Sequence, residues 1–207
     1  MHILLVDDHP VVRRGIRQIL LDGIKAASVG EVGDAPSAMA RIRTQAWDIV
    51  VVDLTLPGMS GLDLLKEIHQ RQPTLPVLVL SMHSPAQFAR RVLAAGAAGY
   101  LSKDSAPTEL VLAVEAVGRG QRYLGNGNAR WLTKQLEDRT PHDRLSDREY
   151  QVLRMLGSGL TVSEIATEFG LSVKTVSTYR TRVLEKMDMH SSVELMRYAI
   201  ENGLMDS

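Results

Sequence analysis

The chain has 207 residues, with 24 lysines and arginines against 24 aspartates and glutamates. Its hydrophobic fraction of 44% is sufficient for packed cores, and the absence of cysteine excludes disulfides and thiolate metal sites. The balanced charge gives no general sign of nucleic-acid binding, so any such site must come from a local arrangement. The apolar runs are far shorter than a membrane span, and we therefore expect a cytoplasmic protein that does not contact the membrane.

The first half of the chain alternates short apolar runs with segments of helical spacing. Strong runs predict buried strands at residues 3–6, 49–52 and 77–80, and weaker runs lie at 25–29 and 98–101. Between them, apolar residues recur every three or four positions, as on one face of a helix. Apolar strands that alternate with helices form a parallel sheet covered on both faces. We therefore expect an α/β domain with a doubly wound, five-stranded parallel sheet.

Polar side chains follow the predicted strands at the points where these strands end. Asp7 and Asp8 follow the first strand, Asp53 the third, Ser81 the fourth and Lys103 the fifth. Ligands of such sheets bind outside the carboxyl ends of the strands, so these side chains are expected to meet in one pocket. A single aspartate after a strand is most often a turn or capping residue. Five suitable residues at strand ends instead indicate a shared site.

The chemistry of these side chains indicates a divalent cation and a phosphoryl group. Three carboxylates in one pocket repel each other unless a cation neutralises them. Oxygen ligands with room for water suit Mg²⁺, with Mn²⁺ as an alternative. The ammonium of Lys103 and the hydroxyl of Ser81 suit the oxygens of a phosphoryl group. The pocket is therefore expected to bring metal and phosphate together.

On these positions, residues 1–118 resemble the receiver domain of two-component response regulators, which has a flavodoxin-like or CheY-like fold. The resemblance implies that Asp53 is the phosphoacceptor and that Lys103 is the family's lysine. It also implies that Ser81 is a hydroxyl switch and that Tyr100 rearranges when this hydroxyl turns toward the phosphoryl group. Asp53 would attack a phosphohistidine or a small phosphodonor in line and form an aspartyl phosphate.

The same resemblance implies a metal site in which Mg²⁺ is held by side chains and one backbone carbonyl. Asp8 and Asp53 would bind the ion together with the carbonyl of Thr55, and Asp7 would act through metal-bound water. Two positions depart from the usual receiver pattern. Lys103 is followed by Asp104 instead of proline, so an ordinary trans bond is expected. Met82 follows Ser81 where small residues are common, and we expect its long side chain to slow phosphodonor entry or hydrolysis.

Residues 119–143 have the composition of a linker between two domains, with glycine-rich and polar segments around a short helical candidate at 129–137. Residues 144–207 then contain four helix-start signals. Ser146, Thr161 and Ser191 each precede a glutamate by three positions, as in a capping box, and Ser172 lacks that glutamate. Helices of this length joined by a tight turn predict an all-α, four-helix helix-turn-helix domain. The predicted stops are Gly157, Gly159 and Gly170.

The helix that begins at Ser172 has an apolar face and an exposed face with basic and hydroxyl side chains. At about 100° per residue, Val176, Val183 and Met187 share the apolar face. Short hydroxyl side chains permit close approach to a major groove, and basic side chains suit phosphates. A solvated face of a helical bundle can carry the same charges, so the charge pattern alone leaves both alternatives open.

Residues 145–204, which begin LSDREYQVLRML, resemble the LuxR-type helix-turn-helix module. A receiver followed by this module is the arrangement of the NarL/FixJ family of transcription regulators. The stretch TVSTYRTR is especially similar to the subgroup that contains BvgA and EvgA. The resemblance implies that Ser177, Thr178 and Thr181 approach bases. It also implies that the main phosphate contacts come from Lys174, Arg180, Arg182 and Lys186.

Together the two resemblances imply a transcription regulator that is controlled by phosphorylation. A sensor histidine kinase would phosphorylate Asp53, and phosphorylation would favour a homodimer that binds double-stranded promoter DNA. The protein would not be an enzyme beyond promoting its own Mg²⁺-dependent phosphorylation and dephosphorylation.

Two other functions share some of these sequence features. A Mg²⁺-dependent phosphatase of the haloacid dehalogenase type would also use Asp53 as nucleophile, but it needs a second aspartate two residues later, where this chain has Thr55. The other alternative is a receiver whose helical domain binds protein or RNA. Binding to duplex DNA with a steep salt dependence would distinguish a DNA-binding domain from that alternative.

Overall fold

The computed structural model describes residues 1–82, 85–105, 107–125 and 140–205. The chain divides into two compact units, Met1–Gln135 and Leu136–Ser207. The helix predicted at residues 129–137 lies outside the described residues. None of the described helices has the length and apolar character that crossing a membrane requires.

The first unit contains a five-stranded sheet in which all neighbouring strands are parallel. The spatial order β2-β1-β3-β4-β5 is the flavodoxin-like order, which confirms the predicted doubly wound sheet. The strands are β1 (His2–Val6), β2 (Ser28–Val32), β3 (Ile49–Asp53), β4 (Val77–Ser81) and β5 (Gly99–Ser102).

Each strand of the first unit is followed by a helix. The spacing of apolar residues predicted these crossovers, because parallel strands need a long connection between them. The helices are α1 (Pro10–Gly23), α2 (Ala35–Thr44), α3 (Gly61–Arg71), α4 (Pro85–Ala94) and α5 (Pro107–Gly118).

The second strand does not lie where its apolar run predicted. Residues 25–27 form a turn in which Ala26 has a φ of 59°, and the strand runs from Ser28 to Val32 instead of 25–29. β2 is at the edge of the sheet and most of its residues are only half-buried. Because an edge strand is less covered than a central one, it carried no continuous apolar run that would have marked its bounds.

The two faces of the sheet are covered by different helices. Alternate residues of the strands, such as Ile3, Leu5 and Val51, form one core with α1 and α5. The intervening strand residues face the opposite side, where α2, α3 and α4 supply the covering side chains. The fully buried strand residues on that side include Leu4, Val6, Val50, Val52, Val79 and Tyr100.

The chain continues past α5 along the outer edge of β5. Tyr123 forms a parallel bridge with Gly99. Its backbone N–H donates to the Ala98 carbonyl at 3.1 Å, and its carbonyl accepts from the Tyr100 N–H at 2.9 Å. The first residues of the predicted linker therefore lie against the sheet of the first unit.

Within residues 140–205, the second unit contains four α-helices after a short 3₁₀-helix at Pro141–Arg144, which confirms the predicted all-α domain. The tight turn between the second and third of these helices includes Gly170, with a φ of 60°. The helices are α6 (Asp147–Gly157), α7 (Val162–Glu168), α8 (Val173–Met187) and α9 (Ser192–Glu201).

Two of the three predicted capping boxes are formed, and the third is not reciprocal. Ser146 and Thr161 each exchange hydrogen bonds with the glutamate three residues later. Ser191 accepts from the Glu194 N–H at 3.3 Å, but the Glu194 carboxylate accepts from the N–H of His190 instead of that of Ser191. The backbone of Ser191 is more extended, with a φ of −146°, and we attribute the exchange of donors to this difference.

The helix ends at Gly157, as the sequence predicted, but without the positive φ angle that is typical of a glycine stop. Gly157 is the last residue of α6, and a Cβ atom at this position would lie 2.5 Å from the Cβ of Ala199. The glycine therefore permits close packing of α6 and α9. Gly159 and Gly170 do have positive φ angles after their helices, of 87° and 60°, and these two predictions are confirmed.

Candidate functional site

The carboxyl ends of the parallel strands bring the predicted side chains of the first unit together. Asp7 follows β1, and Asp53 and Ser81 are the last residues of β3 and β4. Asp7 and Ser81 are each 1% exposed, and Asp53 is 4% exposed. Buried polar side chains need partners, because leaving water costs them hydrogen bonds.

Lys103 supplies the central interaction of this pocket. Its Nζ donates to Asp7 Oδ2 at 2.7 Å and to Asp53 Oδ2 at 2.7 Å. The lysine follows β5, and its side chain is 9% exposed. The predicted convergence of Lys103 with both carboxylates is therefore observed in the geometry.

The electrostatics of the pocket follow from this buried ion pair. Burial raises the pKa of the Asp53 carboxyl, and the neighbouring ammonium of Lys103 offsets this rise only in part. Burial alone would lower the pKa of Lys103, but the carboxylates of Asp53 and Asp7 outweigh burial and raise it. The lysine therefore remains charged at neutral pH, and Asp53 lies where a further cation is favourable.

Asp8 and His9 extend the pocket toward its rim. The Nδ1 atom of His9 lies 2.8 Å from Asp8 Oδ1 and 3.7 Å from Asp7 Oδ1. Asp7, Asp8, His9 and Asp53 each offer one ligand atom, and these atoms all lie within 4.8 Å of one another. The four side chains are thus close enough to share one metal ion.

The donor set of the pocket fits a divalent cation. Asp8 Oδ1 is buried and receives no hydrogen bond from the described residues. One ammonium faces three carboxylates, so the pocket keeps an excess of negative charge. Oxygen-rich sites of this kind suit Mg²⁺ or Mn²⁺. The backbone N–H of Thr55 donates to Asp53 Oδ1 at 3.3 Å, so the loop after β3 folds toward the carboxylate.

Ser81 and Tyr100 lie on the two strands beyond Asp53. Asp53 is paired in register with Leu80, so Ser81 comes one residue further along the neighbouring strand. The carbonyl of Ser81 accepts a hydrogen bond from the backbone N–H of Lys103 at 2.8 Å. Tyr100 is completely buried in this structure.

The structure describes both positions that depart from the receiver pattern, Met82 and the Lys103–Asp104 bond. Met82 is 62% exposed and lies directly after Ser81, at the open end of the sheet. The Lys103–Asp104 peptide bond is trans, as expected, and none of the described peptide bonds is cis. The exposure of Met82 leaves its side chain available to cover the approach to the pocket.

Sequence reasoning missed two residues that shape the pocket. Arg13 donates from Nη1 to the Asp7 carbonyl at 2.6 Å, and this bond fixes the loop between β1 and α1. Gly61 begins α3 so close to Asp53 that a Cβ would overlap the Asp53 carbonyl. The glycine at the start of a helix was visible in the sequence, but only the path of the loop explains why a larger residue is excluded.

The third helix of the second unit, α8, presents the two faces that its periodicity predicted. Val176 and Val183 are fully buried and Met187 is 6% exposed. The side chains predicted to point outward are exposed, and Arg180, which flanks the apolar face, is half-buried. The exposed members are Lys174, Ser177, Thr178, Thr181, Arg182 and Lys186.

The hydroxyl groups on the exposed face bond to the helix itself. Thr178 Oγ1 donates to the Lys174 carbonyl at 3.0 Å, and Thr181 Oγ1 donates to the Ser177 carbonyl at 3.1 Å. Each hydroxyl proton is therefore directed inward, and the oxygen lone pairs stay accessible as acceptors. Because these hydroxyl side chains are short, they permit the close approach of a groove to the helix.

Two of the cations assigned to phosphates hold the helix in place. Arg180 Nε donates to Ser192 Oγ at 2.7 Å, and Lys186 Nζ donates to Glu149 Oε2 at 2.6 Å. Glu149 is 3% exposed on its side chain. Burial raises the pKa of its carboxyl, but hydrogen bonds from Lys186 and Ser146 outweigh burial and lower it. No local pattern indicated the pair between Lys186 and Glu149, because these residues are 37 positions apart.

Comparison with known proteins places both units in characterised families. Residues 3–115 match the response regulator receiver domain, and residues 143–199 match the bacterial regulatory proteins of the luxR family. The response regulator UvrY of Escherichia coli K12 is 40% identical over 213 residues, which cover 100% of this chain and 97% of UvrY.

Solved structures of RcsB are similar along both units. RcsB of Salmonella enterica serovar Typhimurium bound to promoter rprA, in the presence of the phosphomimetic BeF₃⁻, has a TM-score of 0.65 and 29% identity, covering 96% of this chain and 98% of that chain. A structure of two RcsB dimers bound to two parallel DNAs has a TM-score of 0.61 and 30% identity, with coverage of 96% and 97%.

Proposed function

The chain belongs to the NarL/FixJ family of response regulators, a receiver domain followed by a LuxR-type DNA-binding domain that regulates transcription, and from this premise we propose how its own residues carry the signal. We propose that Asp53 accepts a phosphoryl group and that this event controls DNA binding by α8. The observation that carries the proposal is the buried cluster in which Lys103 binds both Asp7 and Asp53 at 2.7 Å.

In this proposal, Asp53 is the nucleophile and Lys103 balances the charge of the product. A carboxylate oxygen of Asp53 forms a bond to phosphorus as the bond between phosphorus and the donor breaks, and the donor leaves. The phosphoryl oxygens of the product carry more negative charge than the carboxylate did, and the ammonium of Lys103 is positioned to bind them. The same burial that raises the pKa of Asp53 also limits the access of water to the pocket.

We propose Mg²⁺ as the cofactor, with Mn²⁺ as a substitute. Asp8, Asp53 and the backbone carbonyl of Thr55 would hold the ion, and Asp7 would act through its bound water. When bound, the metal supplies positive charge that lowers the barrier to phosphoryl transfer. The orphaned, buried Oδ1 of Asp8 supports this assignment.

Ser81 and Tyr100 would transmit the effect of Asp53 phosphorylation to the rest of the first domain. The hydroxyl of Ser81 would turn to donate to a phosphoryl oxygen, and Tyr100 would follow into the space that this movement releases. Both side chains are buried, so each rearrangement has to take place inside packed structure. Such packing favours two discrete states, which is what a switch requires.

For the DNA-binding surface, we propose that Ser177, Thr178 and Thr181 approach base edges in a major groove. Lys174 and Arg182 are exposed, and no described residue holds either side chain in an ion pair, so we assign the main phosphate contacts to them. Arg180 and Lys186 would contact phosphates only by exchanging their bonds to Ser192 and Glu149.

We propose a sensor histidine kinase as phosphodonor and a homodimer, favoured by phosphorylation, as the form that binds promoter DNA. RcsB, which has the same two domains, has been solved as dimers bound to DNA. A regulator that acts on chromosomal promoters would work in the cytoplasm. We further propose that the receiver comprises residues 1–118, the linker 119–143 and the DNA-binding domain 144–207, with the start of the linker resting on β5 through Tyr123.

The intact mass of the full-length protein after incubation with acetyl phosphate and Mg²⁺ tests the proposed chemistry. We expect the addition of one phosphoryl group, which requires both the metal and Asp53. Asp53→Ala and a sample with the metal chelated should show no addition, whereas Asp63→Ala, at an aspartate on the first turn of α3, should behave as the wild type. Phosphorylation of Asp53→Ala would disprove the assignment.

A further inference from the structure

The imidazole of His9 lies beside the acidic pocket and has no role in the phosphoryl chemistry proposed above. His9 is the N-cap residue of α1, but its side chain accepts no capping hydrogen bond from the helix. The imidazole is directed instead toward the carboxylates, with Nδ1 2.8 Å from Asp8 Oδ1 and 3.7 Å from Asp7 Oδ1. Its position therefore relates to the pocket and not to the start of the helix.

The separation of His9 from Asp8 suits two ligands of one ion. Neighbouring ligands of an octahedral ion with bonds of about 2.1 Å are about 3.0 Å apart. The 2.8 Å between His9 Nδ1 and Asp8 Oδ1 is close to this distance. A ligand atom of Asp53 also lies within 4.8 Å of the imidazole nitrogen. One ion can therefore reach both the imidazole and the carboxylates.

The contact between His9 and Asp8 is short but is not a hydrogen bond. Asp8 Oδ1 is buried and receives no hydrogen bond within the described part of the chain. When the imidazole is neutral with Nδ1 unprotonated, two electron-pair donors face the same space, next to the carboxylates of Asp7 and Asp53 that Lys103 contacts. A cation between these donors would be bound by both of them. A residue that only caps a helix would not need such a cation.

We propose that His9 is a ligand for first-row transition-metal ions in the acidic pocket. Imidazole is a common ligand for the later first-row transition-metal ions such as Co²⁺, Ni²⁺ and Zn²⁺, whereas Mg²⁺ is held by oxygen ligands and water. His9 therefore lets the pocket discriminate between the two classes of divalent ion and favour the transition metals. This inference rests on the proposed function, because it assumes that the pocket holds a metal.

The affinities of the full-length protein for Co²⁺ and Mg²⁺ test this inference. Isothermal titration at pH 8 would compare the wild type with His9→Gln and with His69→Gln, which removes an exposed imidazole on α3. We expect His9→Gln to weaken Co²⁺ binding by at least about tenfold. At other metal sites, replacing even a residue that only supports a ligand lowers the metal affinity by a factor of this size. The Co²⁺ to Mg²⁺ affinity ratio should fall accordingly, and His69→Gln should keep the ratio of the wild type.

A spectroscopic signature separates ligation from an indirect effect of the substitution. Pulsed electron paramagnetic resonance of bound Mn²⁺ should show coupling to a directly bound nitrogen in the wild type and in His69→Gln, and no such coupling in His9→Gln. An unchanged affinity ratio in His9→Gln, or the absence of nitrogen coupling in the wild type, would overturn the role of His9.

Failure of the inference can be told apart from failure of the proposed function. If Mg²⁺ binds and Asp53→Asn abolishes its binding, the acidic pocket holds metal, and the Co²⁺ data then decide the role of His9 alone. If neither ion binds the wild-type protein, both the metal site and the role of His9 are disproved.

Discussion

The ammonium nitrogen of Lys103 lies 2.7 Å from a carboxylate oxygen of Asp53, and both side chains are buried. The same ammonium binds Asp7, so one cation serves two carboxylates that approach from different strands. A buried ion pair of this kind contributes little when complete, but removing one partner leaves uncompensated charge. The pocket is therefore sensitive to anything that adds or removes a positive charge.

Replacement of Lys103 by methionine should destabilise the first domain and make it dependent on metal. We expect the free energy of unfolding at neutral pH without metal to fall by about 3 kcal/mol, because Asp7 and Asp53 lose their shared counterion. Urea titration with and without Mg²⁺ checks this. Mg²⁺ should stabilise Lys103→Met more than the wild type, and equal stabilisation of the two proteins would contradict the expected charge balance.

Gly61→Ala should impair phosphorylation although it leaves every charged group in place. A methyl group at this position overlaps the Asp53 carbonyl, so the loop that carries Asp53 has to move. We expect acetyl phosphate to modify the variant at least about tenfold more slowly, since small displacements of reacting groups have large effects on rate. Gly15→Ala is the matched control, because its methyl group meets no atom within 4 Å. Similar rates in both variants would refute the role of Gly61.

Met82→Ala tests whether the exposed methionine covers the pocket. Met82 is 62% exposed directly after Ser81, and shortening it should open the approach to Asp53. We expect faster phosphorylation by acetyl phosphate, faster hydrolysis of the aspartyl phosphate, or both, measured by time-resolved intact mass. Unchanged values of both rates would remove the proposed effect of Met82.

Lys174→Met should mainly affect DNA binding, whereas Lys186→Met should mainly affect the stability of the second domain. Loss of a phosphate contact at Lys174 should lower the slope of log affinity against log salt concentration by about 0.9. Lys186 is bonded to Glu149, so its replacement should mainly reduce the stability of the second domain. Salt titrations of binding to duplex DNA, together with thermal unfolding, check both expectations. A reduced slope with normal stability in Lys186→Met would show instead that this lysine meets phosphate.

The bond between Lys186 and Glu149 should also appear in the pH dependence of stability. The folded protein lowers the pKa of Glu149 below its usual value of 4.5. The ionised carboxylate therefore stabilises the fold above that pH, and this contribution disappears as the pH falls through the lower folded pKa. Glu149→Gln should cost about 2 kcal/mol at pH 7 and less as the solution becomes strongly acidic. A constant difference between the variant and the wild type across this range would contradict the assignment.

The fold could be predicted from the sequence because its dominant signals are local. Central strands such as β3 are buried on both faces and appear as continuous apolar runs, and the helix starts carry their own capping residues. The edge strand β2 lacks such a run, so its bounds were displaced. The helix end at Gly157 was predictable, but the close packing against the distant Ala199 was not, because no local pattern contains that contact.

The candidate site was only partly predictable, because several of its contacts join residues that are distant in the sequence. The rule that ligands bind at the carboxyl ends of parallel strands brought Asp7, Asp53 and Lys103 together correctly. The hydrogen bond from Arg13 to the backbone of Asp7 and the bond from Lys186 to Glu149 depend on side-chain directions in three dimensions. The roles of Ser81 and Tyr100 and the subgroup within the family remain predictions.

The affinity of the full-length protein for duplex DNA, measured with and without phosphorylation, tests the central claim most directly. The duplex would be selected from a random pool by protein treated with acetyl phosphate and Mg²⁺. We predict that phosphorylation tightens wild-type binding by at least about tenfold, a coupling within the usual range between two sites. Asp53→Asn should bind with the weaker affinity under both conditions. Equal wild-type affinity with and without a confirmed phosphoryl group on Asp53 would contradict control of DNA binding by this residue.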